Sequence, residues 1–269
     1  MLAGAIGQAL GELEWCGVPF CGGCAELPHV RTRSGVANDL HRHVINLART
    51  VRDDVLIEQL INKLRDKLFH VDELKGAQLR CRERENVSTD EYDPCAPPDV
   101  SWASDYFVST WMSRGGVSGT RNEFVNGLSI RWSSAGGGSA LRFRNAIDSL
   151  MEWSLALQRW TFTCIDAFAF IGKVKDQAGH GLYIDAPWPD LGDRYVHRVG
   201  NDDQCRLAEV LSRFKKTRVV VRFGDHERIR ELYTDNRWHW IRKTSKNQNG
   251  SAVCEALIVN HPVGGQLWR

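Results

Sequence analysis

The sequence has little proline, no excess of charge of one sign and no long apolar run. Eight prolines in 269 residues, with 25% charged and 42% hydrophobic residues, exclude a disordered, a collagen-like or a small disulfide-bonded chain. Lysine and arginine (35) nearly balance aspartate and glutamate (33), so the net charge of +2 does not by itself indicate a nucleic-acid partner. No segment approaches the roughly 18 apolar residues of a transmembrane helix. The length fits one large domain, or a core domain with an insertion.

The first residues and the cysteines predict a cytoplasmic protein without a membrane partner. The opening MLAGAIGQALGELEW lacks a basic start and contains Glu12 and Glu14, unlike a signal peptide. We expect the eight cysteines to be mostly thiols. Cys16, Cys21 and Cys24 have the C-x4-C-x2-C spacing of a plant-type iron–sulfur loop, but no second CxxC or histidine pair follows at zinc-ligand spacing. We therefore predict no metal and interpret them as small residues of a turn, with a cluster as the alternative.

Short apolar runs alternate with segments of helical spacing along most of the chain. Several runs are continuously apolar, as in parallel strands that are covered on both faces. We therefore predict an α/β fold with a doubly wound parallel sheet and helices on both faces. After the first elements (15–24, 35–51 and 54–69), the pattern predicts a helix over 145–160, strands at WTFTCI, GLYID, RVVVRF and ALIVN, and helices at DAFAFIGKVKD, DDQCRLAEVLSRFKK and DHERIRELYTD.

The alternation stops between residues 71 and 145. Residues 71–100 include the charged, then proline-rich run LRCRERENVSTDEYDPCAPPDV and are predicted as loop. Residues 101–145 contain seven glycines, which we expect to prevent long regular elements. Loops of this kind often carry function. Five arginines face two acidic residues here, which leaves a local charge of +3: Arg114, Arg121, Arg131, Arg142 and Arg144, against Asp105 and Glu123.

A glycine turn, PFCGGC at 19–24, follows the first predicted strand. Glycines let a main chain approach a ligand closely, and doubly wound sheets bind ligands at the carboxyl ends of their strands. Asp39 follows the second strand, where a carboxylate can accept hydrogen bonds from ribose hydroxyls. The alternative is an ordinary turn and an Asp39 that caps a helix starting at Leu40. The spacing alone does not decide, and the turn lacks the GxGxxG pattern of dinucleotide sites.

The most informative segment is YIDAPWPD at 183–190, which ends a predicted strand. Asp185 can accept a hydrogen bond from an exocyclic amine, and a neighbouring carbonyl can accept the second amine proton. The Trp188 ring can stack on the base that carries the amine. The alternative is a turn that ends the strand beside a core tryptophan.

Taken in order, these motifs resemble the D12 class of DNA adenine N6-methyltransferases, the Dam-like enzymes. The matching segments are PFCGGCAE at 19–26, ANDLHRHVINL at 37–47, CIDAF at 164–168, YIDAPWPD at 183–190 and, as a last core strand, CEALIVN at 254–260. The resemblance covers nearly the whole chain. It implies a Rossmann-like methyltransferase sheet formed by residues 1–70 and 145–269, with a small inserted target-recognition subdomain at 71–144.

The resemblance also implies S-adenosylmethionine as cofactor and assigns roles to single residues. Asp39 would bind the ribose, and Asp166 the adenine amino group of the cofactor. Asp185 and the Ala186 carbonyl would orient the target amine, with Trp188 stacked on the flipped base. The catalytic set is Asp185, Ala186, Pro187 and Trp188, and the cofactor-binding set is Pro19, Phe20, Cys21, Gly22, Gly23, Asp39, Ile165, Asp166 and Asp185. The DNA-binding candidates are Arg114, Arg121, Arg131 and Arg142.

The predicted reaction is site-specific methyl transfer from S-adenosylmethionine to N6 of adenine in DNA, with the target adenine swung out of the helix. The alternatives are an enzyme acting on RNA or single-stranded DNA, and a catalytically weak methyltransferase-like DNA-binding protein. A cognate restriction enzyme is a further partner that the resemblance allows. The sequence indicates neither the target site nor the oligomeric state.

Three positions depart from the family pattern. Ala186 replaces a proline, which removes rigidity from the catalytic loop, and Cys24 replaces the third glycine of the cofactor motif. The G-G-K element that usually precedes that motif is reduced to Ala3-Gly4 and Gly7. Among the ten tryptophans, we expect those of the insertion to pack within it: Trp102, Trp111 and Trp132.

Overall fold

The computed structural model describes residues 2–85, 93, 96–114, 119–133, 137–188, 200–246 and 252–263. Pro189 and Asp190, which end the YIDAPWPD motif, and parts of the predicted insertion lie outside these residues. The chain divides into two compact units. We call Met1–Leu40, Arg159–Thr161 and Ile165–Arg269 the sheet unit, and His41–Gln158 with Phe162–Cys164 the helical unit.

Within the described residues, the strands form a seven-stranded sheet and a two-stranded ribbon. Numbered along the chain, they are β1 (Leu13–Val18), β2 (Thr32–Asn38), β3 (Trp132–Ser133), β4 (Gly137–Gly138), β5 (Trp160–Thr163), β6 (His180–Ile184), β7 (Arg218–Gly224), β8 (His239–Lys246) and β9 (Ala252–Val259). The large sheet has the order β5-β2-β1-β6-β7-β9-β8. β1 pairs in parallel with β2 and β6, and β6 with β7, whereas β9 is antiparallel to β7 and β8. The predicted α/β class is therefore confirmed, but the sheet is only mostly parallel, because β9 runs against β7 and β8. β1 lies where the strand order changes direction.

The α-helices, numbered in the same way, are α1 (Leu2–Leu10), α2 (Arg42–Arg52), α3 (Asp54–Arg65), α4 (Val71–Glu85), α5 (Val100–Met112), α6 (Ser139–Asp148), α7 (Leu150–Leu157), α8 (Ala167–Lys173), α9 (Asn201–Ser212) and α10 (Glu227–Leu232). None of these described helices is long and apolar enough to cross a membrane. The short opening helix α1 contains Ala3, Gly4 and Gly7, the residues in which the sequence retains a trace of the G-G-K element.

Helices cover both faces of the sheet in the sheet unit. Leu182 of β6 and Val221 of β7 belong to one buried cluster with apolar residues of α8, α9 and α10. Side chains alternate along a strand, so their neighbours in sequence face the other way. On that opposite face, a Cβ at Gly181 would lie 3.3 Å from Leu10 of α1. This two-sided burial explains why the central strands are continuously apolar.

Two predictions for the helical unit are wrong, because two of its segments are helices. Residues 71–85 form α4 rather than loop, and residues 100–112 form the 13-residue helix α5, although we expected no long element in 101–145. The glycines of that segment begin only at 115, so they do not interrupt α5. The helical unit also begins at His41, so it contains α2 and α3 in addition to the predicted recognition region 71–144.

Candidate active site

One buried side chain connects three loops at the carboxyl ends of the strands. Asn38, the last residue of β2, is fully buried. Its Nδ2 donates to the carbonyl of Pro19 after β1 (3.1 Å) and to the carbonyl of Ile165 after β5 (2.9 Å). Its Oδ1 accepts the N–H of Ile165 (3.0 Å). The loops that the resemblance assigns to the cofactor are therefore fixed to one another.

The glycine turn after β1 is held against the end of β2. Cys21 donates its N–H to the carbonyl of Asn38 (2.9 Å), and Gly22 donates its N–H to Oδ2 of Asp39 (2.8 Å). Gly22 has a φ of +44°, a left-handed conformation that favours glycine. A Cβ at Gly22 or Gly23 would meet no atom within 4 Å. The turn thus presents its main chain to open space beside a carboxylate, which fits a ligand that carries a ribose.

The same geometry corrects the alternative for Asp39. Helix α2 begins at Arg42 with His41 as its N-cap residue, so Asp39 does not cap a helix that starts at Leu40. Its carboxylate instead holds the glycine turn. Phe20, the remaining residue of the turn, is half-buried and packs against the apolar cluster of the sheet unit.

The two cysteines of the turn are buried thiols. Cys24 has a φ of 60°, so it adopts the left-handed conformation that a glycine would take at lower cost. A hydrogen bond with Cys24, together with burial, raises the pKa of the Cys21 thiol well above its ordinary value. Among the described residues, no three histidine, cysteine, aspartate or glutamate side chains are grouped to hold a metal ion.

Asp166 lies where the third loop enters α8. It is exposed, it is the N-cap residue of that helix, and its Oδ1 accepts the N–H of Ala169 (2.8 Å). Within the described part of the chain, the Asp166 side chain makes this hydrogen bond through Oδ1, and its Oδ2 accepts none. A carboxylate fixed in this way can present its second oxygen to an amino group.

Asp185 follows β6 and is half-buried beside a cation. Nη1 of Arg222 lies 2.9 Å from its Oδ2, and the Tyr183 hydroxyl donates to the same oxygen (3.3 Å). Burial raises the pKa of the Asp185 carboxyl, and Arg222 and Tyr183 oppose that rise. Burial raises the pKa of the Tyr183 hydroxyl too, and the charge of Asp185 raises it further, so Tyr183 stays protonated as a donor.

The rest of the catalytic loop is fixed from β7 and α9. The side chain of Gln204, which is buried, donates to the carbonyl of Pro187 (2.8 Å). A Cβ on Gly224 would lie 2.8 Å from the ring of Trp188, so only glycine leaves room for the ring there. Ala186, which precedes Pro187, is buried in the cluster that also contains Leu182 and Ile184 of β6. The structure therefore describes all four predicted catalytic residues on one constrained loop.

Three residues of this site were absent from the sequence-based set: Asn38, Arg222 and Gln204. Two of them left a signal in the sequence. Asn38 belongs to the ANDL segment that resembles the family's ribose-binding motif. Arg222 lies within the apolar strand RVVVRF, where a charged side chain is uncommon unless it is paired. Gln204 lies in an ordinary helical segment, and no pattern marks it.

The arginines proposed for DNA lie in the helical unit. Arg114, Arg121 and Arg131 are exposed, and Arg142 is half-buried. The two acidic residues counted against them are buried instead. Asp105 is bound by Arg80 at 2.7 Å, and Glu123 lies 3.0 Å from a histidine, His41. The exposed part of this segment is therefore more basic than its formal +3.

Next to Arg131, two large apolar side chains face solvent. Ile130 is 87% exposed and Trp132 is 75% exposed, so the expectation that Trp132 packs within the insertion is wrong. Trp111 is also exposed, whereas Trp102 is half-buried and donates its indole N–H to His43 (2.6 Å). Neighbouring exposed apolar side chains can contribute to an interaction surface when they form a contiguous patch.

The strand order and the loops at the carboxyl ends are those of a Rossmann-like methyltransferase. The family model of the D12 class N6 adenine-specific DNA methyltransferases matches residues 18–247, most of the chain. The chain therefore belongs to this family, as the resemblance predicted. A search among curated proteins found no match. The protein is accordingly an adenine-N6 DNA methyltransferase, with DNA as its substrate.

Proposed function

We propose that the methyl donor is S-adenosylmethionine, bound at the carboxyl ends of β1, β2 and β5. The observation that carries this proposal is the hydrogen bond from Gly22 to Asp39, which holds a carboxylate acceptor beside a glycine turn that faces open space. Asp39 would accept from the ribose hydroxyls, and Oδ2 of Asp166 from an adenine amino group. Asn38, by connecting the loops, would keep the two carboxylates at a fixed separation. When bound, this cofactor supplies an electrophilic methyl group on a sulfonium.

In the proposed reaction the catalytic loop holds the target adenine. Oδ1 of Asp185 accepts one proton of the N6 amine in a hydrogen bond, and the Ala186 carbonyl accepts the other. These two hydrogen bonds orient the amine so that its nitrogen lone pair points toward the methyl donor, and Trp188 stacks on the base. Because the Pro187 carbonyl is already bound by Gln204, it does not compete for the amine. No strong base would be required of the loop: the sulfonium would become a thioether on giving up its methyl group, and the methylated amine would then release one proton to solvent.

We further propose that residues 71–144 contact DNA and that the target adenine is flipped out of a duplex. Support comes from exposed Arg114, Arg121 and Arg131, and from the apolar side chains of Ile130 and Trp132 beside the last of these. Arginines bind phosphates, and apolar side chains stabilise unstacked bases. Sequencing modified bases in DNA from cells expressing the protein would reveal the target site, and with it any cognate restriction enzyme.

The test uses transfer of a labelled methyl group to duplex DNA, single-stranded DNA and RNA, with identification of the methylated base. We expect N6-methyladenine in duplex DNA, loss of turnover in Asp185→Ala with nearly unchanged cofactor binding, and weakened cofactor binding in Asp39→Ala. Asp202→Asn, an exposed carboxylate on α9, is the control and should behave as the unmodified protein. Persistent transfer in Asp185→Ala would reject the role of Asp185. Stronger transfer to RNA, or DNA binding without cofactor binding by calorimetry, would favour the alternatives.

A further inference from the structure

Four charged or polar side chains meet on one face of the sheet at the catalytic strand end. Tyr183 of β6 pairs in register with Val220 of β7, and continuing this register by two residues places Asp185 beside Arg222. On the other side of β7, Arg222 pairs with Leu257 of β9, two residues from Glu255. Alternation along each strand brings Tyr183, Asp185, Arg222 and Glu255 to the same face.

Arg222 binds two carboxylates at once. Its Nη1 lies 2.9 Å from Oδ2 of Asp185, and its Nη2 lies 3.3 Å from Oε1 of Glu255. The Tyr183 hydroxyl also donates to Oδ2 of Asp185. Both described hydrogen bonds of the Asp185 side chain therefore end on one oxygen, and Oδ1 is left for another donor.

The charges around Asp185 act in opposite directions. Burial and the neighbouring charge of Glu255 raise the pKa of Asp185, whereas Arg222 lowers it. Glu26, in the segment after the glycine turn, also has a raised pKa, because of burial and the charge of Asp185. Arg222 keeps its own charge: burial opposes it, but Asp185, Tyr183 and Glu255 together raise its pKa.

We propose that Arg222 is a positioning residue that fixes Oδ2 of Asp185 and maintains the negative charge of that carboxylate. Glu255 binds the other nitrogen of the same guanidinium and thereby weakens the effect of Arg222 on Asp185. The consequence for catalysis is that Oδ1 faces the target amine as a charged acceptor and not as a carboxylic acid. The catalytic consequence rests on the proposed function, because it assumes that Asp185 receives the amine. The electrostatic relation between Arg222, Glu255 and Asp185 does not depend on that assumption.

The test follows the Asp185 carboxyl by carbon NMR across pH, with the signal assigned by its loss in Asp185→Asn. The variants are Arg222→Gln, Arg222→Lys and Glu255→Gln. Arg242→Gln is the matched control, since Arg242 lies on the same sheet but binds Asp225. An opposite charge within hydrogen-bonding distance shifts a carboxyl pKa by about 1–3 units. We therefore expect the Asp185 midpoint to rise by roughly one unit or more in Arg222→Gln, to stay near its original value in Arg222→Lys, and to fall in Glu255→Gln.

The same variants are then assayed for methyl transfer as a function of pH. We expect the acidic limb of the pH dependence of kcat to move with the NMR midpoint in each variant. We expect the cofactor affinity to stay unchanged. An unchanged midpoint in Arg222→Gln, or a rise in Glu255→Gln, would overturn the proposal. If Arg222→Gln does not fold, the fall expected for Glu255→Gln decides. If the unmodified protein transfers no methyl group, the proposed function fails, while the NMR titration still decides the role of Arg222.

Discussion

Replacing Asn38 with alanine should cost more stability than its size suggests. The fully buried side chain makes three hydrogen bonds, at 2.9–3.1 Å, to main-chain groups of Pro19 and Ile165. Each such bond contributes about 1 kcal/mol, and each buried partner left unpaired adds a penalty of similar size. We therefore expect Asn38→Ala to lower the free energy of unfolding by about 3–5 kcal/mol. That is a large part of the roughly 5–15 kcal/mol of a typical domain.

The structure supplies a matched control at the opposite end of the strands. Asn260 is half-buried and also makes three hydrogen bonds to main-chain groups: its Oδ1 accepts the N–H of Val219 (2.8 Å), and its Nδ2 donates to the carbonyls of Phe214 (3.2 Å) and Thr217 (3.0 Å). Urea unfolding followed by tryptophan fluorescence should show a loss of stability for both variants, and a smaller one for Asn260→Ala because Asn260 is only half-buried. Calorimetric titration with S-adenosylmethionine should separate them, because only Asn38 fixes the cofactor loops. We expect the affinity for the cofactor to fall at least tenfold in Asn38→Ala and to stay unchanged in Asn260→Ala. A tenfold change corresponds to roughly 1.4 kcal/mol of binding free energy.

Two results would refute this reasoning. A loss below about 1 kcal/mol in Asn38→Ala would mean that the loops keep their positions without the amide. Equal cofactor affinity in both variants would mean that the three bonds stabilise the sheet but do not organise the site.

Three further predictions concern single side chains. Cys24→Gly should raise the free energy of unfolding by up to about 1 kcal/mol, because its φ of 60° is strained for any residue with a Cβ, while Cys24→Ala should give no such gain in urea titrations. Gln204→Ala should lower kcat, and Ala186→Pro should reduce that loss if both act by stiffening one loop; additive effects in a double-mutant cycle would contradict this. Burial lowers the pKa of His43 to about 2 in the folded protein. Between about pH 6.5 and pH 2, His43 is therefore protonated in the unfolded chain but not in the folded one. Stability should then fall by up to about 1.4 kcal/mol per unit as the pH decreases from about 6, and His43→Gln should flatten that decrease in urea unfolding at pH 5 and 7.

The sequence was sufficient for most strands of the large sheet, but not for its edge strand β8 or for the helices α4 and α5. Strands β6 and β7 are recognisable because burial on both faces makes their central residues continuously apolar. Helix α4 was missed because its buried positions, Leu74, Ala77, Gln78 and Cys81, follow helical spacing but include weakly apolar and polar side chains. Strand β8 (HWIRKTSK) was missed for a related reason: it lies at the edge of the sheet, pairs on one side only, and carries charges.

For the site, the sequence could predict residues whose chemistry is local. The glycine turn, Asp39 and Asp185 were expected because each follows a strand that the pattern marks. Asn38 and Arg222 act through partners that are distant in sequence, such as Ile165, which is 127 residues from Asn38. Such partners are brought together only by the order of strands in the sheet. Charge balance around Asp185 is therefore a property of the fold and not of any motif.

The departures from the family pattern can be interpreted through the same contacts. At position 24, the cysteine keeps the left-handed backbone that the missing glycine would provide, so the turn retains its shape at an energetic cost. At position 186, alanine removes the rigidity of a proline ring, but the hydrogen bond from buried Gln204 to Pro187 restrains the next peptide from another element. Both substitutions are thus accommodated where they occur. The ion pair of Arg222 and Asp185 lies beside this loop and is half-buried, so its desolvation is costly, which favours a role for the pair in the proposed reaction. For this reason we interpret the loop as that of a working methyltransferase.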